Sequence, residues 1–411
     1  MTEFVSPVVK SEGSFFREEK LVVELLTQCS QLVPGDSEGD AKLTSSAQPE
    51  FQTICASAAK VMTIIETYQE QPAILDASLE VMVTPIMAGF RQAVARHTEH
   101  VMNESKATTS SSASTSTTAT TTAFPFGRFT STRLIRLSKL LYTVCKVRGY
   151  KKVVRLFPHE VADLEPVFHL LQAQDTDDHE TWHVRYSLLL WLSIIVIVPF
   201  DLQTIDSSFN SKSSNGTNGS SNGPSLVDRI ISVCKTYLRD SGPARNAAAL
   251  CLSKLLTRPD MEARHLDEFL TWANTVVSAS VNSGAGSAAS AAGVNGGAGN
   301  AAAGGGINGG EEKTWEERAA MGHVLGPSML KKKIKKKSGV MTGGAHQHQQ
   351  IFLSTGALET LVLVFKHGHR QQMEGRIPAV AECMDLAYDY YFFFCVHTFG
   401  QHCCLSFIYY L

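Results

Sequence analysis

The sequence predicts an all-α fold, a HEAT/armadillo-like α-solenoid with low-complexity insertions, and three observations support this prediction. Apolar residues recur at helical spacing along much of the chain, and no long stretch alternates with the period of two that is typical of a strand. One motif of arginine, leucine and serine occurs twice. Three tracts of small and polar residues separate the helical segments, and such tracts bury too little apolar surface to offset chain entropy.

The composition is that of a folded protein without a large net charge. Hydrophobic residues make up 44% of the 411 residues, and 37 basic residues nearly balance 39 acidic ones, so no general attraction to nucleic acid or to an acidic membrane is expected. The N-terminus lacks the layout of a signal peptide. The nine cysteines contain no CxxC pair, which favours the cytosol and predicts neither a metal nor another cofactor. Five of them lie in apolar, helix-like contexts: Cys29, Cys55, Cys145, Cys234 and Cys251.

The low-complexity tracts separate the helical segments, so their positions set the expected domain boundaries. In order, we expect an N-terminal helical segment (1–103), a Ser/Thr-rich linker (104–130), helical repeats (131–277) with a flexible insertion (207–225), a low-complexity insertion (278–350), a partial helical repeat (351–387) and an aberrant hydrophobic tail (388–411).

The first repeat helix is predicted by an apolar face. This face carries Leu134, Leu137, Leu141 and Val144. Arg136, Lys139 and Lys146 fall opposite this face.

Three further helices are predicted by their start signals. Pro158 should start a helix that ends at Ala173, because proline is tolerated in the first turn. Ser225 can cap a helix that ends at Leu238, and Pro243 can open one that ends at Leu256.

The apolar run from Tyr186 to Phe200 could belong to a membrane span or to a buried helix. As a helix, its fifteen uncharged residues would reach about 22 Å, short of the roughly 30 Å hydrocarbon core of a bilayer. We therefore expect a helix that is buried on nearly all sides by neighbouring helices.

An internal repeat explains this burial. Residues 184–193 align with residues 244–253 at an offset of 60, and removing the intervening polar tract leaves about 41, within the range of HEAT and armadillo repeats. The matching structural positions are Arg185, Leu190 and Leu192 in the first copy and Arg245, Leu250 and Leu252 in the second. The arginines are expected to tie neighbouring inter-helix turns together, and direct contact with a partner is the alternative.

The segment HETWH, residues 179–183, matches the HExxH pattern of zinc peptidases. His179 and His183 would share a helical face, with Glu180 as the base that activates water. The glycine and third histidine of the longer metalloprotease motif are absent, so a zinc hydrolase is kept only as an alternative.

Two further segments suggest other functions. The basic run Lys331–Lys337 resembles a nuclear-import signal or a polyanion-binding run, but the favoured interpretation is a solvated basic loop. Residues 390–411 carry no Lys, Arg, Asp or Glu and could span a bilayer as a tail anchor, but Gly400 and Gln401 weaken that interpretation. The favoured hypothesis is that residues 388–411 do not belong to the fold, and no membrane partner is expected.

Four segments carry an ordered likeness to one family: Tyr142–Leu171, Arg185–Leu202, Ala244–Trp272 and Gly356–Arg370. They resemble the tubulin-specific chaperone D family, also called tubulin-folding cofactor D. The likeness covers about residues 134–370 outside the low-complexity tracts. Members of that family are much longer α-solenoids, so the resemblance implies that this chain is a truncated, N-terminal part.

The resemblance also implies a function. A member would be a cytoplasmic, cytoskeleton-associated chaperone that binds β-tubulin. It would act with tubulin cofactors C and E and a small ADP-ribosylation-factor-like GTPase in assembling or dismantling the tubulin heterodimer. GTP hydrolysis would belong to tubulin and the GTPase, so this chain would not be an enzyme and would need no cofactor and no nucleic acid.

One basic cluster is a candidate contact for such an acidic partner. It comprises Lys146, Arg148, Lys151, Lys152 and Arg155. Clustered positive charge speeds the encounter with an acidic protein. A solvated helix end explains the same residues, and a general helical-repeat scaffold remains the alternative function.

Overall fold

The computed structural model describes residues 15–31, 48–109, 132–205, 224–290 and 345–384. All regular structure within these ranges is helical and none of it is a β-strand, which confirms the all-α prediction. The basic run Lys331–Lys337, the tail 388–411 and almost all of the insertion 207–225 lie outside the described residues.

The helices follow one another with short connections inside each described range. They are α1 (Glu19–Ser30), α2 (Gln48–Glu66), α3 (Leu79–Thr109), α4 (Thr132–Val144), α5 (Tyr150–Val153), α6 (Leu164–Gln172), α7 (Trp182–Ile195), α8 (Leu202–Ile205), α9 (Leu226–Tyr237), α10 (Pro243–Leu256), α11 (Asp267–Ser290), α12 (Ala345–His367) and α13 (Arg370–Glu374), followed by helical residues 377–384. Tighter 3₁₀ turns lie at Pro72–Ser78, Val154–Leu156 and Val161–Asp163, and π-helical turns lie at Cys145–Gly149 and Glu262–Leu266.

The helices stack as a row of pairs. Helices α4, α7, α10 and α12 pack side by side in that order, and each of them packs on its own partner, α3, α6, α9 and α11 respectively. Such pairs hide their apolar faces only by stacking on their neighbours, so the core runs through the whole row.

Helix α7 is buried on nearly all sides, because it lies between α4 and α10 and under α6. Every residue from Val184 to Ser193 is buried, so the apolar run is a core helix. It ends at Ile195, five residues before the end of the apolar run. Pro199 lies in the turn that follows, and the Arg258 guanidinium donates hydrogen bonds of 2.6 and 2.8 Å to the carbonyls of Val196 and Val198 there.

Two predicted helix starts are confirmed. The Ser225 hydroxyl accepts from the Asp228 amide at 3.2 Å, and the Asp228 carboxylate accepts from the Ser225 amide, so the two residues form a capping box at the start of α9. Pro243 occupies the first turn of α10. Backbone N–H groups in the first turn have no acceptor within the helix, so the absence of an N–H in proline costs no helical hydrogen bond there.

The predicted helix start at Pro158 is wrong. Residues 158–160 are not helical, and α6 begins only at Leu164. Proline favours extended backbone in the residue before it, and Phe157 has φ −77° and ψ 141°. The Trp191 indole N–H of α7 donates to the Pro158 carbonyl at 2.7 Å and holds this connection against the core.

The sequence predicts that Arg136 lies opposite the apolar face of its helix, but the residue is not exposed to solvent. Arg136 and Arg133 are both buried, and Arg136 Nε donates to the carbonyl of Cys29 at 3.3 Å, while the Arg133 guanidinium binds the carbonyl of Ser30. The last carbonyls of a helix lack partners within the helix, so the two arginines of α4 satisfy the end of α1. The cysteine expectation fails at one position, since Cys55 is exposed while the other four are buried.

The borders of the low-complexity tracts are more ordered than expected. Residues 104–109 continue α3, residues 278–290 continue α11, and residues 345–350 begin α12. Alanine and polar residues extend a helix that has already been nucleated at little cost. The hydroxyls of Ser280 and Ser354 form a 2.5 Å hydrogen bond between α11 and α12.

Among the described residues, Pro72–Glu99 is the one helical stretch long and apolar enough to cross a bilayer by length and composition. Half of the residues in its most apolar window are buried inside the fold, and a core helix of a helical array has the same property. This stretch packs on α1, α4 and α6, so its burial is explained by protein neighbours.

Candidate partner-binding surface

The basic cluster lies on the segment that follows α4. This segment begins with the π-helical turn Cys145–Gly149, and Gly149 has φ 90°, a left-handed conformation that side chains with a Cβ rarely adopt. Val147, Val153 and Val154 are buried and anchor the segment to the core. The five basic residues lie before, between and after these valines.

Three of the five basic residues are paired with carboxylates. Lys146 Nζ lies 3.0 Å from Glu66 Oε1, the Arg148 guanidinium binds both carboxylate oxygens of Asp76, and Lys152 Nζ lies 3.8 Å from Asp76 Oδ2. The hydrogen bonds from Arg148 hold the pKa of Asp76 below its usual value. This side of the cluster is therefore largely neutralised by residues that precede α3.

Lys151 and Arg155 have a different environment. Both are exposed, and neither forms an ion pair with a carboxylate among the described residues. Burial lowers the pKa of His367, and the charges of Lys254, Lys366 and Lys151 lower it further. The five residues thus form a neutralised group and two separate cations, and their contact with a partner stays a prediction.

The first repeat arginine, Arg185, binds the turn that precedes its own helix. Its Nη1 donates to the Asp175 carbonyl at 2.8 Å and to Thr181 Oγ1 at 3.2 Å, and its Nη2 donates to the Asp178 carbonyl at 2.7 Å. The side chain is 1% exposed. Arg185 therefore fixes the connection between α6 and α7 from inside the fold.

The second repeat arginine, Arg245, also contacts its preceding turn but reaches forward as well. Its Nη1 lies 3.4 Å from the Asp240 carbonyl, and its Nε lies 3.5 Å from Glu359 Oε2 on α12. Burial raises the pKa of Glu359, and Arg245 partly opposes that effect. Arg245 therefore connects its own turn to the next helical pair.

The other repeat positions are equivalent in structure as well as in sequence. Their leucines are all buried: Leu190, Leu192, Leu250 and Leu252. Ser193 Oγ donates to the Leu190 carbonyl at 2.7 Å, and Ser253 Oγ donates to the Leu250 carbonyl at 2.9 Å. The two copies of the motif thus lie on the neighbouring helices α7 and α10.

The geometry proposed for the HExxH motif is wrong. Helix α7 begins at Trp182, so His179 and Glu180 lie in the exposed turn before it, and only His183 is helical. Burial, followed by the charge of Lys139, lowers the pKa of His183 to about 4. No group of three or more His, Cys, Asp or Glu side chains in the described ranges could hold a metal ion.

Two features were not predicted from the sequence. Arg258 binds the carbonyls of the turn after α7, including that of Phe200 at 2.7 Å, and pairs with Asp260. His367 Nδ1 lies 3.1 Å from Ser253 Oγ, next to Lys254. The contacts of Arg258 with Phe200 and of His367 with Ser253 join residues separated by at least 58 positions, and no local spacing indicates them.

Comparison with known proteins agrees with this architecture. The family model described as tubulin-specific chaperone D-like, ARM repeat, matches residues 65–277, more than half of the chain. The tubulin-folding cofactor D of Schizosaccharomyces pombe is 34% identical over 124 residues, which cover 30% of this chain and 10% of that protein. The tubulin-specific chaperone D of Dictyostelium discoideum is 24% identical over 301 residues, which cover 56% of this chain and 19% of that protein.

The matched part of this chain therefore spans less than a fifth of the length of these relatives. No solved structure matches the chain. The match to the family model covers the stacked pairs from the end of α2 to α11, the part of the fold that contains both copies of the repeat motif. The chain belongs to the tubulin-specific chaperone D-like family of ARM-repeat proteins.

Proposed function

We propose that this chain is a tubulin-folding chaperone segment that binds β-tubulin in the cytoplasm. It takes part in assembling or dismantling the α/β-tubulin heterodimer, together with tubulin cofactors C and E and a small ADP-ribosylation-factor-like GTPase. The observation that carries the proposal is the family match, which coincides with the continuous stack of helical pairs. The names of the two relatives support a role in tubulin folding.

The proposed mechanism is binding without catalysis. A row of stacked helical pairs presents an extended surface, on which a folded protein subunit can be held over many small contacts. Two arginines make this surface rigid, since the buried Arg185 and the partly buried Arg258 fix the connections on either side of α7. A rigid surface loses little conformational entropy when a partner binds. GTP hydrolysis in the assembly would be carried out by tubulin and the small GTPase.

A pull-down with the full chain tests the proposal. The tagged 411-residue protein, shown by circular dichroism to be helical and by size exclusion to be monodisperse, is incubated with cell extract. Bound proteins are then identified by mass spectrometry. We expect β-tubulin to be recovered and to remain bound at salt concentrations that remove purely electrostatic contacts. An unrelated armadillo-repeat protein of similar length serves as the control.

Equal recovery of tubulin by this control, or no recovery by the folded chain, would contradict the proposal. Recovery of the small GTPase without tubulin would assign the described repeats to a different part of the assembly. Addition of purified tubulin heterodimer to the immobilised chain then measures direct binding.

A further inference from the structure

The turn that follows α7 exposes apolar side chains at one edge of the stack. Ile197 is 49% exposed and Phe200 is 56% exposed, and Pro199 between them is exposed as well. Single exposed apolar residues are common on protein surfaces, but several of them in one short turn are typical of a binding site. We call residues 196–200 the apolar turn.

One side chain, that of Arg258, fixes the shape of the apolar turn. It donates to the carbonyls of Val196 at 2.6 Å, Val198 at 2.8 Å and Phe200 at 2.7 Å. It also donates to both carboxylate oxygens of Asp260, at 2.9 and 2.7 Å. The guanidinium thus uses all five of its N–H groups. A turn that is held in this way loses little conformational entropy when a partner binds.

The same hydrogen bonds suit the turn to an apolar environment. A carbonyl that enters a dry pocket without a donor is costly, and the carbonyls of Val196, Val198 and Phe200 already have a donor in Arg258. The charge of Arg258 is compensated by its ion pair with Asp260. Complementarity of charge and of hydrogen bonding therefore favours an uncharged apolar pocket over a charged ligand.

The second copy of the repeat ends in an equivalent turn. The N–H of Val198 donates to the Ile195 carbonyl at 3.1 Å, and the N–H of Arg258 donates to the Leu255 carbonyl at 3.3 Å. Both residues of the second pair lie 60 positions after those of the first, which is the offset that relates the two copies of the repeat motif. The two turns therefore share this backbone hydrogen bond.

The two turns differ in the side chains that they expose. Ile197 and Phe200 of the first turn correspond to Thr257 and Asp260 of the second. The repeat thus forms this turn with polar residues at both positions. Folding alone does not explain the apolar side chains of the first copy, and binding to a partner does.

The apolar turn lies in the middle of the row of helices. It connects to α7 and is held by a residue that follows α10, and these are the second and third of the four helices α4, α7, α10 and α12. A further helical pair would stack on one end of the row and would leave the turn uncovered. A separate protein is therefore the occupant that fits.

We propose that the apolar turn inserts into an uncharged apolar pocket of the β-tubulin that the stack holds. Ile197 and Phe200 provide the apolar contacts, and Arg258 holds the backbone that presents them. The identity of the partner rests on the proposed function, whereas the chemistry of the pocket follows from the turn itself.

The test measures binding of purified tubulin heterodimer to the immobilised full chain by biolayer interferometry. The turn variant combines Ile197→Thr, which introduces the residue type of the second copy, with Phe200→Asn, which introduces an uncharged analogue of the aspartate there. It should bind about thirtyfold more weakly, as the loss of central apolar contacts predicts. The conservative variant, Ile197→Val with Phe200→Leu, should bind within about threefold of wild type. Wild-type affinity should change little between about 0.1 and 0.5 M salt, because an apolar contact is not screened.

A matched control changes two exposed apolar residues outside the turn. It combines Val81→Thr, at a residue that is 48% exposed, with Ile377→Asn, at one that is 52% exposed. Its binding should stay within about twofold of wild type, because it removes apolar surface of similar extent elsewhere on the stack. Both variants alter exposed positions, so both should keep the helical circular dichroism spectrum. Should the turn variant lose it, Phe200→Asn alone keeps the test valid, with about tenfold weaker binding expected.

Tubulin binding by the turn variant as tight as that of wild type would overturn the role of the turn and leave the proposed function intact. Equal weakening in the turn variant and the control would overturn that role as well. Absence of tubulin binding by the folded wild-type chain would reject the proposed function, and the role of the turn with it. A wild-type dimer in analytical ultracentrifugation that the turn variant does not form, with unchanged tubulin binding, would overturn the role in favour of a second copy of this chain.

Discussion

Replacing Arg185 by methionine should cost this protein more stability than almost any other single polar substitution. The guanidinium donates to two backbone carbonyls at 2.8 and 2.7 Å and to the Thr181 hydroxyl at 3.2 Å, and it is 1% exposed. A hydrogen bond from a charged donor contributes about 1.5–3 kcal/mol, and methionine leaves both carbonyls without this donor. The turn is partly wet, since Asp175 is exposed, so we expect a loss of about 3–4 kcal/mol.

The equivalent change at Arg245 provides the internal comparison. Its contacts are longer, at 3.4 Å to the Asp240 carbonyl and 3.5 Å to Glu359. Arg245→Met should therefore cost only about 1 kcal/mol. Arg185→Lys should fall between the two, because an ammonium group keeps the charge but cannot bridge both carbonyls of the turn.

Urea unfolding followed by tryptophan fluorescence measures these losses, since Trp191 is buried in the same helix as Arg185. With a slope of about 2 kcal/mol per molar urea, Arg185→Met should lower the midpoint by about 1.5–2 M, and Arg245→Met by about 0.5 M. Equal shifts for the two variants would refute the reasoning, because they would show that hydrogen-bond geometry does not set the cost. An unchanged midpoint for Arg185→Met would refute it as well.

Two further predictions concern packing and pH. Gly356→Ala should destabilise the protein by about 1–3 kcal/mol in the same urea assay, because its Cβ would lie 2.6 Å from the Leu238 carbonyl oxygen. Gly375→Ala, which meets nothing within 4 Å and has φ −69°, should instead stabilise it slightly, and a loss there comparable to that of Gly356→Ala would contradict the packing argument. The pKa of His183 is lowered from 6.5 to about 4, so only the unfolded state takes up a proton between these values, and stability should fall as the pH drops through this window. At about pH 5, His183→Gln should remove about 1 kcal/mol of this loss of stability, after allowance for solvent screening. The control His179→Gln, at an exposed position, should leave the loss unchanged. Identical pH profiles of stability for the two variants would show that His183 does not cause the loss.

Several features of this protein were readable from local sequence, because they depend on neighbours within a few positions. The capping box at Ser225 and Asp228 needs only a spacing of three residues, and the cap forms at Ser225 as the sequence predicts. The repeated arginine–leucine–serine motif places equivalent residues on α7 and α10, because a helical repeat reproduces the same environment at each copy. The likeness to tubulin-specific chaperone D rests on such ordered motifs, and the family match agrees with it.

The start of α6 shows where local signals compete. Proline is acceptable in the first turn of a helix, but it also favours extended backbone in the residue before it. The Trp191 indole N–H, on helix α7, donates a hydrogen bond to the Pro158 carbonyl and thereby favours the extended backbone over a helix start at Pro158. The HExxH pattern failed in a related way, because helix α7 begins too late to include His179.

The sequence by itself determined the helical class, the repeat and the helix starts at Ser225 and Pro243, since each depends on short-range periodicity and on residue types. The tertiary structure alone decided which charges are buried, paired or left open. Arg136 is buried because the end of α1 needs donors, and Lys146 is neutralised by Glu66 across 80 positions. Ser253 and His367 meet because α10 and α12 pack side by side. Charged residues that are far apart in the sequence can pair only when the fold brings them close in space, and their spacing along the sequence does not indicate whether it does.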